Sequence, residues 1–373
     1  MLESVLLAGG GTAGHVNPLL AVADELRRRN PDLRVTVLGT ATGLEHDLVP
    51  ARGYPLVVVP RVPLPRRPTP EWFRLPGRLS EAVRVAGAAI DESAAQVVVG
   101  FGGYVSTPAY LAARSRGVPV VIHEQNARPG LANRLGARWA RSVAVTFPGT
   151  PLAGATVTGL PLRPAIAELV RVRATDPDGA RRAAAAALGL DPGRTTLLVT
   201  GGSLGAVSLN SAASSAAADL LATGAQVLHL TGAGKSEPVH EALAAIDAQH
   251  YHVREYLAEM DLALAVADVV LARAGAGTVS ELAALGIPAV YVPLPVGNGE
   301  QRLNAAPVVD AGGGLLVSDA ELDRGWLAAH LVPLLEDPAV RRTMAAAAAT
   351  VGVVDAAARV ADLVEGAAGR ADR

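Results

Sequence analysis

Ser4-Val5-Leu6-Leu7-Ala8-Gly9-Gly10-Gly11-Thr12-Ala13-Gly14-His15 runs an apolar segment straight into three glycines, and a helical pattern of Leu19, Ala23 and Leu26 follows at once. Strand, glycine-rich turn and helix start together form a device that reads phosphate. Glycine lets the backbone approach a ligand closely, and a helix N-terminus offers unpaired N–H groups with partial positive charge. The chain carries the device twice, because residues 195–200 lead into Gly201-Gly202-Ser203-Leu204-Gly205-Ala206 and another helical pattern. Two such loops predict two nucleotide-scale α/β domains, which points toward a sugar-nucleotide enzyme.

Working outward, strands are predicted over 4–8, 35–38, 96–99, 118–122 and 142–145 in the first half, and over 195–200, 226–230, 269–271, 289–292 and 314–317 in the second. Runs of β-branched residues without polar alternation suit parallel strands covered on both faces, and doubly wound sheets bind ligands at the carboxyl ends of their strands. The boundary is expected near Gly159-Leu160-Pro161-Leu162-Arg163-Pro164, giving domains over 1–160 and 161–373. An Ala- and Arg-rich segment over 171–188 opens the second half, and a helical tail begins at Met344. Either domain could receive that tail.

Composition narrows the classes. At 373 residues, half of them apolar, the chain can build two cores. A net charge of −2 supplies no global field for nucleic acid. With no cysteine, disulfides and thiolate metal sites are excluded. The eight histidines show no ligand spacing, His250 and His252 reading as strand-end residues, so no metal and no cofactor are expected. No secretory leader is read at the start, and no run reaches the ~20 apolar residues that span a bilayer.

Gly9, Gly11 and Gly14 also fit the dinucleotide fingerprint. That fingerprint needs an acid closing the second strand about 20 residues on. Here Val37-Leu38-Gly39-Thr40 closes it, with Asp32 ahead and Glu45 well beyond, so nicotinamide binding is disfavoured. Gly232-Ala233-Gly234-Lys235-Ser236 lacks the first P-loop glycine, His229 standing there, and Lys235 reads as a solvated loop lysine. Asp176-Pro177-Asp178 reads as a proline turn in a linker.

His123-Glu124-Gln125-Asn126 follows a buried strand, where ligand contacts concentrate; the rival is a loop network with His123 and Glu124 paired. Gly100-Phe101-Gly102-Gly103-Tyr104 ends a neighbouring strand. Thr278 and Glu281 have capping-box spacing, which satisfies a helix end without any ligand, while a glutamate there could instead grip ribose hydroxyls. Residues 297–304 supply amide side chains suited to a polyhydroxylated ligand. Residues 60–84 hold six prolines, six arginines and two acids around Trp72 and Phe73. They read as a surface loop, or as a patch for an anionic membrane formed by Trp72, Phe73, Arg66, Arg67, Arg74 and Arg78.

Taken together, GGGTAGHVNP, GFGGYVSTPA, HEQNARPGLAN, GLPLRP, TGGSLGA, RAGAGTVSE and GEQRLNA resemble the N-acetylglucosaminyltransferase family of peptidoglycan synthesis, which converts lipid I to lipid II. The blocks run in family order across nearly the whole chain. The resemblance implies two Rossmann-like domains facing across a cleft (the GT-B architecture), and transfer from UDP-N-acetylglucosamine to muramoyl-pentapeptide on undecaprenyl pyrophosphate with inversion. It implies donor contacts at Thr12, Ala13, Gly14 and Asn126, nucleotide and diphosphate contacts at Arg163 and Ser203, and a backbone contact to uracil at Leu257. Ala276, Gly277 and Thr278 join the donor site, Glu281 becomes the ribose acid, and Gln301 reads the sugar. Ala13 and Glu300 depart from the family pattern, where a glycine and a second glutamine are common.

His15 is the candidate base for the acceptor hydroxyl, with a rival role as hydrogen-bond partner of the acceptor diphosphate or of the loop. The resemblance further implies a peripheral position on the cytoplasmic face of the cell membrane, and partners among cell-wall synthesis and division proteins. A UDP-N-acetylglucosamine 2-epimerase and a GT-B transferase using another lipid acceptor are the alternatives.

Overall fold

The computed structural model describes residues 2–62, 71–202 and 204–369, the side chains of 71–74 excepted. Its contacts divide the chain into two units, one of Met1–Arg163 with Asp355–Arg373 and one of Pro164–Val354. The second unit therefore stops short of the terminus, and the chain returns to the first unit for its last helix.

The first unit holds one sheet of β1 (Ser4–Ala8), β2 (Arg34–Gly39), β3 (Leu56–Val58), β4 (Val97–Gly100), β5 (Val120–Glu124), β6 (Ser142–Val145) and β7 (Ala155–Val157). Their order is β3-β2-β1-β4-β5-β6-β7, and every pairing is parallel, with Val5 beside both Val35 and Val97. Alternate residues serve opposite faces. Val5 and Leu7 join one buried cluster with Leu19, Leu20 and Leu26 of the helix Ala13–Arg29. Leu6 and Ala8 join the other, under Ala82, Ala86 and Ile90 of the helix Glu71–Ser93. A strand covered on both faces must be apolar at every position, which is why the first run carries no polar alternation. That second helix also replaces the surface loop expected over the latter part of 60–84.

The last helix, Ala356–Ala368, buries Val360, Ala361, Val364 and Ala367 in the first cluster. Arg29 clasps it, donating from Nη1 to Asp362 at 2.7 Å and Glu365 at 2.8 Å, and from Nη2 to the Ala358 carbonyl at 3.0 Å. Pro338–Ala368 is long and apolar enough by composition to cross a membrane. It is nevertheless two helices, Pro338–Val351 and Ala356–Ala368, the first with the second unit and the other with the first.

The second unit's sheet comprises β8 (Thr196–Thr200), β9 (Gln226–Leu230), β10 (Tyr251–Arg254), β11 (Val269–Ala272), β12 (Ala289–Tyr291) and β13 (Gly314–Leu316) in the order β10-β9-β8-β11-β12-β13, again all parallel. Asp176 caps the helix Pro177–Leu188 by accepting from the Gly179 N–H at 2.8 Å, so the Asp-Pro-Asp segment is a helix start rather than a linker turn.

β3 and β7 were not expected from the sequence, and β10 was implied only by reading His250 and His252 as strand-end residues. All three are short edge strands, and β3 and β7 have no fully buried position, so neither apolar run nor alternation marks them. Strand order reverses between β1 and β4 in one sheet and between β8 and β11 in the other, and a doubly wound sheet opens a crevice there. Both glycine-rich loops follow the strands at these reversals.

Candidate active site

In the first unit, the loop after β1 is wrapped around an acid. Glu45 is fully buried. Its Oε2 accepts from the Gly11 N–H at 2.8 Å, and its Oε1 accepts from the Thr40 N–H at 2.8 Å and the Thr40 hydroxyl at 2.7 Å. Burial alone would raise its pKa, but these bonds outweigh burial and hold it below the usual glutamate value. One N–H of the supposed phosphate loop is thus committed to the protein's own carboxylate. In the sequence Glu45 stands only as an acid beyond the second strand, because no fixed spacing marks a carboxylate that reaches back to a loop 34 residues earlier.

Thr12 takes the N-cap position of the helix Ala13–Arg29, but its side chain caps no N–H. The hydroxyl lies 2.9 Å from His15 Nδ1 instead. Thr12, Ala13 and Gly14 are exposed, and no acid occupies the first turn, so this helix start faces solvent with its N–H groups and partial charge. Burial of the His15 ring lowers its pKa, opposed by a hydrogen bond with the Gly10 backbone and by the charge of Glu45. The ring is therefore held neutral near neutral pH. Gly102, at φ +91°, lies so close that an added Cβ would sit 3.1 Å from His15 Nε2.

At β5 the structure corrects one expectation. The strand extends through Glu124, so His123 and Glu124 are buried strand residues rather than loop residues, and they do not pair. His123 Nε2 donates to the Gly159 carbonyl at 2.9 Å, and Nδ1 accepts from Gln125 at 3.1 Å. Glu124 accepts from the Asn126 N–H at 2.9 Å, the Gly130 N–H at 3.0 Å and Asn133 Nδ2 at 2.9 Å. Burial raises its pKa against those bonds. With both oxygens occupied, Glu124 shapes the loop that carries the half-buried Asn126.

In the second unit, the loop after β8 turns through Gly202 at φ +81° and Gly205 at φ +66°. Gly205 is pressed against the Thr231 carbonyl, where a Cβ would lie 2.0 Å away. Lys235 is half-buried, and its ammonium donates to the Leu204 carbonyl at 2.6 Å. It thus braces the glycine loop from the surface, as a partly solvated loop lysine. The helix Val207–Ser215 begins without a side-chain cap or an acid in its first turn, which leaves its N–H groups receptive to an anion. Ser203 lies outside the described residues.

After β11, Arg273 donates to the Val292 and Pro293 carbonyls, each at 3.3 Å, and to Ser208 Oγ at 3.0 Å, and it pairs with Asp319. This half-buried guanidinium ties together the ends of two strands and the helix after the glycine loop. The helix Ala276–Leu285 has Gly275 as its N-cap, so Thr278 and Glu281 are not at N-cap and N3 and form no capping box. Glu281 sits half-buried one turn in, beside Ala276, Gly277 and Thr278. Gln301 Oε1 accepts from the Leu294 N–H at 2.9 Å, so its amide nitrogen is the part suited to a sugar hydroxyl. Leu257 is buried in the segment between β10 and the helix Met260–Val266, and the half-buried Arg163 closes the first unit's N-terminal segment. Of the expected membrane patch, Arg66 and Arg67 lie outside the described residues. Trp72, Phe73 and Arg74 fall in the helix Glu71–Ser93, and Arg78 is exposed on it.

Residues 5–145 match the glycosyltransferase family 28 N-terminal domain, and residues 196–360 match the family 28 C-terminal domain. A UDP-N-acetylglucosamine–N-acetylmuramyl-(pentapeptide) pyrophosphoryl-undecaprenol N-acetylglucosamine transferase of Frankia casuarinae is 56% identical, over 99% of this chain and 96% of that protein. The transferase of the same name from Clavibacter sepedonicus is 57% identical over 97% and 96%. This chain belongs to glycosyltransferase family 28. The family 28 fold is also that of a solved neighbour, MurG of Acinetobacter baumannii, at 28% identity and TM-score 0.77 over 98% of this chain and 99% of that one. A UDP-GlcNAc 2-epimerase from Neisseria meningitidis shares the fold at 15% identity and TM-score 0.71, covering 98% of this chain and all of the other.

Proposed function

We propose that this family 28 chain is an inverting glycosyltransferase moving N-acetylglucosamine from UDP-N-acetylglucosamine to the 4-hydroxyl of muramoyl-pentapeptide on undecaprenyl pyrophosphate, giving lipid II and UDP. The identity with transferases of that name, above half and over nearly the whole chain, carries the reading. Likeness to the epimerase is a likeness of fold alone, and fold does not specify function.

Inversion requires one in-line displacement, with a base for the attacking hydroxyl and positive potential for the departing diphosphate. In this reading His15 takes the hydroxyl proton; its neutral ring supports that role. The 201–206 loop, the start of the helix Val207–Ser215, Arg163 and Ser203 meet the diphosphate without a metal. Glu281 holds the ribose, Leu257 meets uracil through its backbone, and Gln301 donates to the sugar. Thr12, Ala13, Gly14 and Asn126 complete the donor contacts.

Transfer of labelled N-acetylglucosamine to a lipid I analogue, with a no-acceptor control and with EDTA, tests the reading. Acceptor-dependent disaccharide that persists in EDTA is expected. UDP release or epimerised sugar without acceptor would overturn the acceptor assignment. Wild-type turnover in His15→Ala would remove His15 as the base.

The lipid acceptor calls for peripheral binding at the cytoplasmic face of the cell membrane, and lipid II supply ties the chain to wall growth, cell shape and division, with protein partners drawn from those processes. Arginines around Trp72 and Phe73 support the helix Glu71–Ser93 as the contact. Replacing both aromatics with serine should weaken binding to anionic liposomes while sparing UDP-N-acetylglucosamine affinity; unchanged liposome binding would sink the assignment.

A further inference from the structure

Glu45 carries a buried carboxylate that the roles above do not use. No cation pairs with it among the described residues; its carboxylate is held by backbone N–H groups and the Thr40 hydroxyl. A buried charge satisfied only by dipoles is costly unless its surroundings are built for it. They are built for it. A Cβ on Gly10 would lie 2.4 Å from Oε1, one on Gly43 2.1 Å from Oε2, and one on Gly39 2.5 Å from Cγ. None of these three glycines has a positive φ. Backbone conformation therefore does not demand glycine at any of them; the space taken by Glu45 does.

We propose that Glu45 is a positioning residue for the transfer reaction, an internal anion that fills the first glycine loop from beneath and fixes the backbone presenting His15. The proposal rests on the reading of His15 given above. The path is short. Gly11 is bonded to the carboxylate, the next residue, Thr12, places its hydroxyl 2.9 Å from His15 Nδ1, and the His15 ring lies against Gly102. Two consequences follow. The Gly11 N–H is not offered to a substrate phosphate. The imidazole position depends on a carboxylate that never touches substrate.

Glu45→Gln keeps the volume but puts an NH2 where one oxygen now accepts, so the Gly11 and Thr40 donors cannot all be satisfied. Steady-state kinetics with UDP-N-acetylglucosamine and a lipid I analogue should show kcat reduced about tenfold to a hundredfold, the scale of a misplaced catalytic group. KM for the donor, and UDP affinity by calorimetry, should change less than kcat, because only Thr12, Ala13 and Gly14 of the assigned donor contacts adjoin this loop and most of the others lie in the second unit. In a His15→Ala background the same substitution should cost much less, since the group it positions is gone. A folded Glu45→Gln enzyme with wild-type kcat, an equal loss of donor affinity, or full additivity with His15→Ala would each overturn the proposal.

Should Glu45→Gln not fold, Thr40→Val decides. It removes one donor and retains the charge, so a smaller kcat loss at unchanged donor KM supports the role, and an unchanged kcat overturns it. Absence of acceptor-dependent transfer in the wild-type enzyme would instead defeat the functional reading, so the two failures are distinguishable.

Discussion

Lowering the pH from about 8 to about 5 should cost each unit about 2 kcal/mol of stability through one buried histidine. In the second unit this is His229, fully buried on β9. Asn210 Nδ2 donates to the Thr231 carbonyl, so its Oδ1 faces His229 Nε2 at 3.1 Å and Nε2 carries the proton. Nδ1 then accepts from the Tyr251 hydroxyl at 2.9 Å, and protonating it would set one donor against another. Burial pushes its pKa down to about 4. In the first unit His123 is likewise held to about 4 by burial, with its Nε2 proton on the Gly159 carbonyl.

The unfolded chain takes up these protons near pH 6.5, before the folded chain does. Stability from the neutral rings is therefore complete above about 6.5 and is lost as pH falls toward 4. Each gap corresponds to about 3 kcal/mol once both states are titrated, and to about 2 kcal/mol at pH 5. Urea unfolding of wild type and His229→Gln at both pH values isolates one group. The variant loses bonds at either pH but takes up no proton at that position, so the wild-type advantage should shrink by about 2 kcal/mol at pH 5. An advantage that stays constant would refute the reasoning.

Glu281→Gln should raise KM for UDP-N-acetylglucosamine about ten- to a hundredfold, the worth of a charged hydrogen bond. Gly205→Ala, at φ +66° and with its Cβ 2.0 Å from the Thr231 carbonyl, should cost more than about 2 kcal/mol and lower UDP affinity, read by denaturation and calorimetry. Arg29→Ala should loosen the terminal helix by about 1–2 kcal/mol, seen as faster hydrogen exchange over 356–368 and diminished by salt in the wild type.

Local chemistry carries far in this protein. The strands beside the order reversals could be read because each is buried on both faces, and the glycines after them follow from loops that must turn tightly beside a helix start. The order of the motif blocks was enough for the family. What tertiary structure decided is whatever depends on partners distant in the chain. β3, β7 and β10 exist by pairing with a neighbouring strand, and their own residues bear no strong mark. Thr278 and Glu281 have the spacing of a cap but not the position, because the preceding strand and Gly275 set where the helix begins. The Lys235 bond to the Leu204 carbonyl joins residues far apart in the chain, so no local pattern announces it. The terminal helix joined the first unit because Val360, Val364 and the Arg29 clasp found their complement there. Glu45 shows the difference most plainly: its sequence position says nothing, yet three glycines and a threonine fold around its carboxylate. Periodicity and turn chemistry act over a few residues, whereas the satisfaction of a buried charge is settled only when the chain has closed around it.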